Sequence, residues 1–167
     1  MDAAAKLAGA IDVFVDYVGR ATSWLALGIA LVMGANVLLR YAFSYGFIWA
    51  QELEWHIFVP ICLLGMSYAL LHGEHVRVDI VYASLAPRTK HAIDVVAAFL
   101  SMAFCAIVIW LSIPYVNQSW SIGEGTANPG GIDYRYVIKS LIPIGFAILF
   151  LQSFSQAIKS ALAFRSA

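Results

Sequence analysis

Charged residues are absent from four long stretches of the chain, 21–39, 55–73, 95–123 and 140–158, each at least nineteen residues long. About twenty helical residues at 1.5 Å apiece cross the ~30 Å hydrocarbon core of a bilayer. The pattern therefore predicts an all-α integral membrane protein, a single domain over 1–167 with spans near 21–41, 48–71, 91–116 and 137–159. A soluble chain of 167 residues has too little interior to bury four such segments.

The segments between and before the spans are patterned differently. Over 1–20, Leu7, Ile11, Phe14, Val15 and Val18 recur at helical spacing while Asp12, Asp16 and Arg20 share another face. That predicts an amphipathic helix on the membrane surface, or else a helical extension of the first span. A short aromatic connection, 41–47, precedes the second span. After that span come His72, Gly73, Glu74, His75, Val76, Arg77, Val78 and Asp79, where Asp79 suits an N-cap for a second short surface helix that Pro87 ends. The segment 117–136 holds Gly123, Gly125, Pro129, Gly130 and Gly131 and reads as an irregular loop, with Trp120, Tyr134 and Tyr136 suited to an interfacial belt.

Composition agrees: 62% of residues are hydrophobic and 12% charged, with mean hydropathy +0.80. Ten basic and ten acidic residues balance to zero, so nothing points to a nucleic-acid partner. Charge placement gives an orientation. With the N-terminus in the cytoplasm, Lys6, Arg20, Arg77, Arg88, Lys90, Lys159 and Arg165 fall inside and only Arg40, Arg135 and Lys139 outside, which predicts both termini inside. Residues 1–20 do not form a signal-peptide pattern, so the first span is expected to act as a retained anchor. Cys62 and Cys105 fall inside spans and read as small apolar residues.

Candidate chemistry sits at the span ends. Arg40 and Glu52 have similar depth and opposite sign, predicting a structural pair; Glu52 as a transport carboxylate is the alternative. His56 is one turn from Glu52, and bis-histidine haem ligation would need a second such residue on a facing helix. Gly65, Ala69 and Gly73 form a small-residue ladder that lets another helix approach, either within this chain or from a partner. No nucleophile–base set, phosphate-binding loop or metal-ligand set is present, so neither an enzyme nor a cofactor is expected. The absence of a mid-membrane charge and of a central helix break argues for scaffold over transport path.

The order Arg40-Tyr41-x-Phe43, Trp49-x-x-Glu52, then Gly65-x-x-x-Ala69-x-x-x-Gly73-x-His75-Val76-Arg77-Val78-Asp79 resembles the small, DctQ-type membrane subunit of tripartite ATP-independent periplasmic (TRAP) transporters. The likeness continues through Leu85-Ala86-Pro87 and Ile142-Pro143-Ile144-Gly145-Phe146. It implies a multi-pass scaffold subunit of the bacterial inner membrane, held in lipid beside a large elevator-type subunit that carries the substrate and sodium sites. A periplasmic binding protein would deliver an organic acid, with Trp120, Glu124 and Asp133 as candidate docking residues and Gly73, His75, Arg77 and Asp79 as the inner-loop motif. Two rivals remain at this stage: an autonomous proton-coupled exporter acting as a dimer through Glu52, and a haem-binding electron-transfer subunit.

Overall fold

The computed structural model describes residues 3–74, 82 and 85–166, with side chains described through residue 164. Four helices make up the fold: α1 (Ala3–Phe43), α2 (Ile48–His72), α3 (Pro87–Ser121) and α4 (Arg135–Ser166). Each is long and apolar enough to cross a membrane. An even number of crossings puts the described ends of α1 and α4 on one end of the array with the end of α2 and the start of α3. The 44–47 and 122–134 connections lie at the other end.

The surface helix expected over 1–20 is not a separate element. It forms the first five turns of α1, which runs unbroken for 41 residues, about 62 Å at 1.5 Å per residue. The charged residues that ended the apolar pattern there are accommodated by neighbouring helices. Asp12 accepts hydrogen bonds from Lys159 (2.9 Å to Oδ2), Ser155 (2.7 Å) and Gln152 (3.2 Å), all on α4. Asp16 pairs with Arg20 at 2.8 Å and with His72 of α2 at 3.2 Å. The inner face of this segment, Ala8 and Val15, is buried.

The other helix ends follow local chemistry. Gly73 closes α2 at φ 75°, a left-handed conformation that glycine adopts without penalty; Gly73 N–H reaches Leu70 O and Glu74 N–H reaches Ala69 O. Pro87 opens α3, where its missing N–H costs nothing. Pro60 lies in the middle of α2, yet the helix continues through it.

The packing is open. α1 contacts α2 and α4, α2 contacts α4, and α3 packs almost wholly on α4. Two glycines set the closest approaches: a Cβ at Gly19 would overlap the Tyr68 ring, and one at Gly145 would lie 2.8 Å from Leu63 Cβ. The interior is small and polar, with Ser67, Cys105, Ser119, Gln152, Ser153 and Ser155 almost wholly buried, while Trp24, Leu31, Leu38, Trp55, Leu100 and Trp110 are exposed. The accessible surface of 10761 Å² exceeds the roughly 8,100 Å² that a soluble protein of this mass shows. Large apolar side chains outside and small polar ones inside invert the soluble arrangement.

The inner-loop residues His75, Arg77 and Asp79, and the second surface helix expected after Asp79, lie outside the described residues.

Candidate functional site

A dense polar arrangement is built around Glu52, in the second turn of α2. Its residue is buried, and both carboxylate oxygens are engaged by the 122–134 connection and the start of α4. Thr126 Oγ1 donates to Oε1 at 2.5 Å, Asn128 Nδ2 to Oε1 at 3.0 Å, and the Ile132 backbone N–H to Oε2 at 2.7 Å. Arg135 adds its guanidinium at 3.6 Å. Gly131 is needed where it stands, since a Cβ there would lie 2.5 Å from Oε2. One carboxylate thus ties a glycine-rich loop, 74 to 80 residues further along the chain, onto the end of α2.

The expected Arg40–Glu52 pair is corrected by this geometry. Depth and sign were matched, but the oxygens of Glu52 are filled by three neutral donors and by Arg135. Arg40 is exposed and bends back over its own hairpin, with Nε 3.9 Å from the Cβ position of Gly46. The other acidic residue of this turn, Glu54, accepts from Asn36 of α1 at 3.1 Å. His56 Nδ1 lies 2.7 Å from the Glu52 carbonyl. A carbonyl only accepts, so Nδ1 carries a proton, while Nε2 is buried with no hydrogen-bond partner among the described residues.

The candidate docking residues share this end of the molecule. Glu124 pairs with Lys139, whose hydrogen bond holds the Glu124 carboxyl below its ordinary range. Lys139 also lies 4.2 Å over the Tyr115 ring. Asp133 accepts from the Thr126 N–H at 3.4 Å. Trp120 is exposed and meets Tyr136 edge-on at 4.5 Å, and Tyr136 meets Tyr134 at 6.0 Å. Tyr134 has φ 65°, an uncommon conformation for a bulky residue, and its ring is exposed.

The small-residue ladder divides. Gly73 is required as the helix cap. Gly65 has nothing within 4 Å of its Cβ position, and Ala69 lines a cleft between α2, α3 and α4. Neither Gly65 nor Gly73 makes, among the described residues, the close intrachain contact that Gly19 and Gly145 make. Sequence reasoning missed those two because neither lies on a recognisable ladder. Among the described residues no group of three His, Cys, Asp or Glu side chains is placed to hold a metal, and Cys62 and Cys105 are unpaired.

Four apolar helices, a polar interior and charges tied together at the helix ends define a multi-pass membrane protein. Comparison with known proteins gives the particular kind. Residues 29–163 match the family described as "Tripartite ATP-independent periplasmic transporters, DctQ component". The chain is 27% identical over 139 residues to the ectoine TRAP transporter small permease protein TeaB of Halomonas elongata, covering 81% of this chain and 71% of that protein. It is 24% identical over 157 residues to the C4-dicarboxylate TRAP transporter small permease protein DctQ of Vibrio cholerae, covering 80% and 68%. It is also 27% identical over 147 residues to the sialic acid TRAP transporter permease protein SiaT of Haemophilus influenzae, covering 86% of this chain but 23% of that longer protein. The chain belongs to the DctQ family: it is a small permease subunit of a TRAP transporter, and not an enzyme.

Proposed function

We propose that this subunit is the fixed, non-transporting scaffold of a sodium-driven importer of an organic acid. It lies in the bacterial inner membrane with both termini cytoplasmic, against a large elevator-type subunit that holds the substrate and sodium ions. A periplasmic binding protein then docks at the end bearing the 122–134 loop. The observation that carries this reading is the fate of the charged groups near the spans. Asp12, Asp16, Glu52 and Glu124 are each bound by side chains of neighbouring elements at the helix ends, so among the described residues no acidic side chain is left for the mid-depth interior. A transport path needs such a group.

Three further features support it. The match to SiaT extends over only part of a much longer permease, as expected where scaffold and transporting portions share one chain. The relatives are named for ectoine, C4-dicarboxylate and sialic acid, each of which carries a carboxylate. Finally, Gly65 and the large apolar side chains of α1 and α2 are open to a partner.

The test is reconstitution of the large subunit and binding protein with and without this chain. Uptake is expected only with it, and full sodium-driven uptake in its absence overturns the scaffold role. Gly65→Leu should release the large subunit in mild detergent while leaving the isolated chain folded. Charge reversal at Glu124 or Asp133, or Trp120→Ala, should weaken binding-protein docking, the reversals in a salt-dependent manner.

A further inference from the structure

Because α3 packs almost wholly on α4, it stands apart from α2, and the gap between them is a laterally open cleft floored by α4. Its volume is about 380 Å³, and its walls include Met66, Leu70, Ala97 and Leu149. An enclosed apolar cavity of about 150 Å³ already accepts a benzene ring. At about 30 Å³ per water-sized group, this cleft holds roughly a dozen methylenes.

We propose that the cleft binds one acyl chain of a diacyl phospholipid from the leaflet at the end where α1 begins and α4 ends. Three observations fix the occupant and its direction. The cleft extends along α3 from Ser101 to Asp94, seven residues or about 10 Å, reaching toward the first turn of α3 and away from the Glu52 loop. Its mean cross-section is then roughly 36 Å². A helix about 10 Å across needs roughly 80 Å², so a partner helix does not enter while a hydrocarbon chain does.

The polar groups are graded along this length. At the deep end Ser101 and Ser153 satisfy each other at 2.8 Å, leaving that part of the wall suited to hydrocarbon. One turn nearer the polar end, the side-chain amide of Gln156 faces the cleft and makes no hydrogen bond among the described residues. A phospholipid presents its ester carbonyls at this depth, just below the headgroup, and a carbonyl accepts what the Gln156 amide donates. Beyond it, the Asp94 carboxylate at the polar end accepts from the Tyr82 hydroxyl at 2.9 Å. Arg88 and Lys90 in the first turn of α3, stacked over Phe164 and Tyr82, add the basic charge that a lipid phosphate favours at this end.

Native mass spectrometry of the complex, extracted from phosphatidylethanolamine–phosphatidylglycerol membranes and washed with excess detergent, tests the site. About one phospholipid should stay bound per copy of this chain. Ala69→Phe, which fills the cleft, should lower the bound fraction at least about ten-fold, and Gln156→Leu at least about three-fold. Retention of the large subunit is measured in the same spectra, so loss of lipid is distinguished from loss of assembly. If Ala69→Phe does not accumulate, Gln156→Leu alone decides. An unmodified chain that retains no more lipid than these variants overturns the proposal. Cross-linking of Ala97→Cys to the large subunit also overturns it, since a partner side chain would then fill the cleft.

Discussion

The close approach of α2 and α4 can be tested at a single methyl group. In Gly145→Ala the new Cβ would lie 2.8 Å from Leu63 Cβ, 3.0 Å from the Leu63 carbonyl oxygen and 3.2 Å from its carbonyl carbon. Two of these atoms are backbone, so relief requires the helices to separate rather than one side chain to turn. Carbon atoms rest about 3.5–4.0 Å apart, which calls for a displacement of about 1 Å. Overpacking of this kind costs about 1–3 kcal/mol. Alanine also gains about 1 kcal/mol over glycine as a helix former, and that gain must be removed from the comparison. Gly28→Ala in α1 supplies the control, because nothing lies within 4 Å of its Cβ position. The difference between the two variants isolates the packing cost. At roughly 2–4 °C per kcal/mol for a chain of this size, Gly145→Ala should melt about 2–12 °C below Gly28→Ala. Melting is followed in detergent through reaction of a thiol dye with Cys105, which is fully buried, on a Cys62→Ala background. Equal melting temperatures, or a more stable Gly145→Ala, would refute the close helix contact.

Glu52→Gln should loosen the 122–134 loop, with the Ile132 amide exchanging hydrogen at least about ten-fold faster, because an amide keeps one acceptor oxygen where the carboxylate uses two, so a donor of the loop faces a donor whichever way it turns; Arg40→Ala should leave that exchange unchanged. The Glu124 carboxyl titrates below the ordinary glutamate value of about 4.3, so its contribution is present above that value and lost as pH falls through the lower folded value. Acid titration of loop fluorescence from Trp120 should therefore show a transition that Glu124→Gln removes. Asp12→Asn and Lys159→Met should each lower the melting temperature, and the double variant should lose less than the sum, since each single change strands a poorly solvated partner.

The four helices were legible because hydrocarbon thickness demands long charge-free runs, and four helices long and apolar enough to cross a membrane are present. The start of α1 was not, because Asp12, Asp16 and Arg20 interrupt the apolar pattern that marks a span. Only the fold reveals that α4 supplies Lys159, Ser155 and Gln152, and α2 supplies His72, to receive the two carboxylates. That Glu52, a charge at a span end, needs a partner was legible from its position, whereas the partners it has were not. Matching opposite charges at equal depth selects Arg40, but Thr126, Asn128 and the Ile132 N–H bear no charge and lie far along the chain. Gly131, noted only as a loop former, was the available signal, because it marks where another group comes too close for a side chain.

The wide separation along the chain between Glu52 and the donors that bind it has a consequence for biogenesis. At about 5–20 residues per second, the ribosome makes Ile132 some 4–16 s after Glu52. In the later part of that interval α2, complete at His72, can already be inserted while its carboxylate has only water to bind it, which its place in the second turn of the helix permits. A glutamate in the middle of the span would have faced hydrocarbon for the same time. The loop can close over it only once α3 has crossed and the chain has turned back, so closure records the completion of the second hairpin.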